Sequence, residues 1–122
     1  MRISSYQDLI VWQKAVELVI EIYKLTKYFP KSETYGLISQ MRRAAVAIPS
    51  NIAEGYRRKH LKEYIQFLSI ANGSAAELET QLVVAQKLEE TKRLDFQKAS
   101  LLLEEILKML NVLISNLAKQ KK

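Results

Sequence analysis

QMRRAAVAIPSNIAEGYRRKH, residues 40–60, reads as one helix that breaks the usual rules of helical sequence. Pro49 stands in mid-pattern, where proline removes a backbone donor, costs roughly 3 kcal/mol and frees the carbonyl around Ala45. The apolar positions Met41, Ala44, Ala45, Ile48 and Ile52 nevertheless keep helical spacing through it. That continuity predicts a kink rather than a stop. Ala47, Asn51, Glu54 and Gly55 add more small and polar positions than one buried stripe requires, and the stretch closes on Arg57-Arg58-Lys59-His60. It reads as a contact element.

Working outward, Leu9, Trp12, Val16, Val19 and Tyr23 follow at steps of three and four, with Leu18, Ile22 and Leu25 widening the stripe. This predicts an amphipathic helix capped by Ser4, Ser5 or Asp8 and ended near Tyr28-Phe29-Pro30. Ser32 with Glu33 can cap the second helix, where Leu37 begins the apolar face and Gly55 is either a packing position or a frayed end. From Leu61, the positions Tyr64, Leu68, Ala71, Ala75, Leu78, Leu82 and Ala85 alternate steps of four and three, the seven-residue repeat of bundles. Gly73-Ser74 lies inside this pattern, and close backbone approach is the expected reason for a glycine there. A fourth helix begins between Lys92 and Asp95 and carries Ala99, Leu103, Ile106, Leu110, Leu113 and Leu117. Helices over roughly 6–28, 33–58, 61–89 and 93–118 predict an all-α fold, a single up-down-up-down antiparallel four-helix bundle across residues 1–122.

Composition agrees. Apolar residues make up 48% of the 122 and charged residues 26%, as in a folded globular chain, and three glycines with two prolines leave room only for short connections. Without cysteine there is neither a disulfide nor a thiolate metal site, and a single histidine cannot build an imidazole cluster. No metal or cofactor is expected. Charges interrupt every apolar run near the N-terminus, so neither a signal peptide nor a membrane span is predicted, and a cytoplasmic location is compatible. The net charge of +6 favours anionic partners such as nucleic acid, although a solvated basic surface has the same composition.

One core does not use all the apolar residues. From Leu101 to Leu117, eleven of seventeen positions are Leu, Ile, Val or Met, more than the three in seven that a core-facing helix needs. The first helix likewise spreads Val11, Val16, Val19 and Ile20 over more than one face. The excess predicts a homo-oligomer.

Catalytic patterns are missing: there is no phosphate loop, nucleophile elbow or paired-histidine motif, and the adjacent glutamate pairs point apart on a helix. No enzyme activity is expected. Arg57, Arg58, Lys59 and Lys62 are candidate phosphate contacts, with His60 either joining them at the helix junction or serving as a surface or capping residue. Tyr56 and Tyr64 flank the cluster and would either stack on bases or pack internally. Arg42, Lys119, Lys121 and Lys122 are further candidates. Arg43 suits a structural network with Glu54 or Glu77, across helices or subunits, better than a direct nucleic-acid contact. Asn51, Gly73 and Ser74 complete that network.

Trp12, Phe29-Pro30, Glu33 and Tyr35-Gly36-Leu37, followed by QMRRAAVAIPSNIAEGYRR at 40–58 and IANGSAAELETQL at 70–82, carry a resemblance. The chain is similar to the four-helix bundle proteins encoded within intervening sequences of bacterial 23S rRNA genes. The accessory variability protein of diversity-generating retroelements belongs to the same group. The resemblance spans essentially the whole chain, with one small departure at Ala47, where serine often precedes the isoleucine. It implies a homopentameric ring with a central passage and a basic surface for DNA or RNA. In the retroelement branch it also implies association with a reverse transcriptase. It does not imply catalysis.

Overall fold

Pro49 does not end its helix. In the computed structural model, which describes residues 5–120, helix α2 (Leu37–Tyr56) runs through Pro49 and buries its ring. Three further helices surround the core: α1 (Ile10–Thr26), α3 (Leu61–Lys87) and α4 (Gln97–Gln120). Among the described residues there is no strand, and no helix is long and apolar enough to cross a membrane. The fold is all-α with four helices.

Each helix packs on the next in sequence, and α4 returns to α1. Leu18 and Ile22 of α1, Met41, Ile48 and Ile52 of α2, Leu68 and Leu78 of α3, and Leu103, Ile106 and Leu110 of α4 are fully buried. Burying each such side chain stabilises the fold by about 1.5–3 kcal/mol. The predicted stripes of α2, α3 and α4 are thus largely the core. On α1 the core runs along Val11, Ala15, Leu18, Ile22 and Leu25, while Leu9, Trp12, Val16 and Val19 are half-buried and Tyr23 is exposed. Val11, expected to add to the apolar excess, is buried within the bundle.

The helix ends differ from the predicted ones because local turns intervene. Ser5 Oγ accepts from the Gln7 N–H at 3.1 Å and opens a 3-10 turn at Tyr6–Asp8, so α1 starts only at Ile10. A second 3-10 turn, Lys31–Glu33, delays α2 to Leu37, whose N–H donates to Glu33 Oε1 at 3.2 Å. Glu33 therefore caps α2 from outside. Asp95 does the same for α4, accepting from the Gln97 N–H at 3.0 Å. Thr91, fully buried beyond the end of α3, donates to the Ala85 carbonyl and satisfies one of that helix's last acceptors. Ser4, Lys121 and Lys122 lie outside the described residues.

The two glycines inside α2 and α3 have opposite surroundings. A Cβ added at Gly55 would meet Phe67 Cβ at 2.7 Å and the Tyr64 carbonyl oxygen at 3.2 Å, so Gly55 is a packing position. A Cβ added at Gly73 would meet nothing within 4 Å. The close approach expected at Gly73 is not made within the chain, since this residue faces outward on α3. Replacing Gly55 with alanine should push α2 off α3 and cost about 1–3 kcal/mol. An unfolding midpoint equal to that of the parent protein would show that the helices part without strain.

Candidate nucleic-acid interface

Residues 57–60 turn the chain from α2 into α3, and the packing at Gly55 sets their shape. Tyr56 lies edge-on to Tyr64, ring centroids 5.9 Å apart at 87°. Arg58 Nη2 pairs with Glu54 Oε2 at 2.8 Å, while its guanidinium lies over the Phe67 ring at 4.8 Å. The pair joins residues four apart across the end of α2, both exposed, an arrangement that stabilises by only tenths of a kcal/mol. Arg58 thus helps to hold the corner as well as to charge it.

Arg57, Lys59, His60 and Lys62 are exposed, and none forms an ion pair with a described residue. His60 occupies the N-cap position of α3, but its side chain makes no capping hydrogen bond. Its backbone carbonyl accepts from the Glu63 and Tyr64 N–H groups, each at 3.1 Å. The structure therefore gathers three unpaired cations at a helix start that no side chain caps, an arrangement suited to phosphate oxygens.

Arg42 is placed elsewhere. Its Nε donates to Thr26 Oγ1 at 2.9 Å, Nη2 reaches the Tyr23 carbonyl at 3.5 Å, and the guanidinium covers the Tyr23 ring at 4.4 Å. It clamps α2 to the carbonyl end of α1, where the helix dipole favours a cation. Arg43 is exposed and forms no ion pair with a described residue. Within the chain, neither Glu54 nor Glu77 pairs with it. Eleven residues of α2 separate Arg43 from Glu54 by about 16 Å, and Arg58 is the nearer partner. Arg43 does share a groove of about 490 Å³ between α2 and α3 with Ser74 and Glu77. Asn51 turns back onto its own helix, donating to the Ala47 carbonyl at 2.8 Å. Lys119 is exposed on the last turn of α4.

Some residues that shape these surfaces carry no motif. Thr26 and Tyr23 hold Arg42, and nothing in their spacing marks them as its partners. Tyr28 and Tyr35 stand 67% and 96% exposed in the connection between α1 and α2. Their position beside Pro30 and Gly36, outside both helices, was the available signal.

Burial, with Tyr56 beside it, pushes the Tyr64 hydroxyl up to about 12 from 10.0. The folded state retains that proton after the unfolded chain has lost it. The associated stability is fully present below about pH 10 and is lost as pH rises towards 12. Absorbance titration should show a late tyrosine step that Tyr64→Phe removes; a Tyr64→Phe profile identical to the parent's would contradict this assignment.

A family model described as 23S rRNA-intervening sequence protein matches residues 7–112. No curated protein matches the chain. The matched span includes the whole of α1, α2 and α3, the proline-threaded helix and the basic corner with them. With four helices in the order described and a match over most of its length, the chain belongs to the 23S rRNA-intervening sequence protein family.

Proposed function

We propose that the protein is a non-enzymatic, homopentameric ring of up-down-up-down antiparallel bundles that binds RNA or DNA largely without sequence preference. The carrying observation is the cluster of Arg57, Lys59 and Lys62, exposed and unpaired at the α2–α3 corner. Charges fixed at one corner by helix packing contact phosphates, which every sequence presents alike. The ion pairs Lys14–Glu105 at 3.4 Å and Lys98–Glu21 at 3.6 Å support the antiparallel direction, since rising numbers on α1 meet falling numbers on α4.

Support for self-association comes from the outer face of α3. Ile70, Gly73, Glu77 and Val84 recur there at helical spacing and are all exposed. Gly73 costs about 1 kcal/mol relative to alanine and gains no close contact within the chain. A neighbouring copy lying against this face would account for it, with Arg43 and Glu77 in the adjacent groove free to pair across the boundary. A second reading, a protein-binding accessory subunit, such as one serving a reverse transcriptase, is favoured by one observation. Leu101 and Val112 stand 54% and 60% exposed on α4, and an apolar groove of about 350 Å³ opens beside Met109, Val112 and Leu113.

Titration of labelled RNA and DNA tests the first reading. Three phosphate contacts should weaken duplex affinity roughly 40-fold between about 50 and 200 mM salt, and replacing Arg57, Lys59 and Lys62 with alanine should flatten that dependence. Binding indifferent to salt, or none at low salt, would refute it. For assembly, Gly73→Ala should lower the mass seen by light scattering, whereas a more stable protein of unchanged mass would place Gly73 outside any subunit contact.

A further inference from the structure

We infer that the other end of the molecule, around Tyr28, is a second nucleic-acid site that takes single strands by stacking a base on the Tyr28 ring. This rests on the nucleic-acid reading above and divides it between two surfaces. Lys31 precedes α2 and Arg57 follows it, so the 20 residues of that helix hold the two ends about 30 Å apart. Lys62 sits in the first turn of the 27-residue α3 and Arg93 follows its last turn, so these two lie at opposite ends as well.

At the α2–α3 corner Tyr56 and Tyr64 are half-buried and engaged edge-on with each other. At the far end Tyr28 is 67% exposed and its ring touches no described aromatic or cation. It lines a groove of about 410 Å³ with Leu25 and Leu94 as an apolar floor and Lys24 and Arg93 on its walls. Lys27 and Lys31 adjoin it in the chain. Lys24, Lys27, Lys31 and Arg93 form no ion pair with a described residue.

The groove also contains two carboxylates, and both are engaged. Glu21 lies 3.6 Å from Lys98, and Asp95 Oδ1 accepts from the Gln97 N–H. Glu21 is balanced by Lys98, and against the charge that Asp95 keeps stand Lys24, Lys27, Lys31 and Arg93, so positive charge predominates around an accessible aromatic face. Stacking on aromatics flanked by cations is how single strands are held without reading their sequence. Bases inside a duplex are stacked on one another and cannot reach such a ring, so this end discriminates single from double strands while the corner does not.

Labelled poly-dT and a labelled duplex, titrated at low salt against the parent protein, Tyr28→Ala, Tyr28→Phe and the double variant Lys59→Ala/Lys62→Ala, test the assignment. Tyr28→Ala should weaken poly-dT binding about ten-fold and leave duplex binding within about two-fold, with Tyr28→Phe behaving as the parent. The lysine variant should weaken both ligands together. Parental poly-dT affinity in Tyr28→Ala would overturn the proposal, as would equal losses for strand and duplex. A parent protein that binds neither nucleic acid would remove the broader reading and this site with it, whereas duplex binding with no effect at Tyr28 would remove this site alone.

Discussion

At Gly55 the backbone of α2 comes so near α3 that there is no room for a methyl group between them: the added carbon would stand 2.7 Å from Phe67 Cβ. The local geometry of the basic corner depends on that approach. It brings Tyr56 within reach of Tyr64 and sets Phe67 under Arg58. With the two helices this close, four residues suffice to connect them. Within that connection Arg58 folds back onto Glu54 and Phe67, while Arg57 and Lys59, with Lys62 in the first turn of α3, stay exposed. The shape of the corner is a consequence of a steric constraint.

The connection at the other end of α2 is longer and is closed by charges rather than contact. Arg42 faces the carbonyl end of α1 through Thr26 and Tyr23, and Glu33 faces the amide end of α2 through Leu37. Each charged group meets the helix terminus of opposite polarity, instead of the two neutralising one another. Thr26 links the steps, donating to the Ile22 carbonyl at 2.7 Å while accepting from Arg42. The lysines of this connection are left to solvent, with Tyr28 and Tyr35 beside them.

Periodicity made the four helices and most of the core of α2, α3 and α4 legible, because burial repeats along a helix and proline could not mask the spacing from Ile48 to Ile52. On α1, apolar on more than one face, the spacing points to a stripe one face away from the buried Val11 and Ala15. The helix starts were less legible: Ser5, Glu33 and Asp95 can each cap a helix or close a turn, and tertiary placement decides which. Gly73 could have been placed from angle alone. It lies two residues beyond buried Ala71, about 200° around the helix, and so faces away from the core. Arg42 and Arg43 differ by only 100°, and which of them meets α1 depends on where α1 lies. No reading of one chain's spacing supplies that. The basic corner was legible as composition, but the engagement of Arg58 and the mutual packing of its tyrosines required coordinates.

Net charge constrains how copies of such a chain can meet. Six excess positive charges per chain oppose association wherever the basic ends approach one another. The exposed apolar residues lie along the helices instead: Ile70, Val83 and Val84 on α3, Leu101 and Val112 on α4. Contact through these sides would bury apolar surface while keeping both basic ends in solvent. About 30 Å separates the two ends along α2, nearly four screening lengths of about 8 Å at physiological salt, so they repel each other little. Corners brought side by side in a ring would repel more strongly, and a bound polyanion relieves that repulsion. In the proposed ring, assembly through the helix sides and phosphate binding at the ends would reinforce one another, the first concentrating charge and the second compensating it.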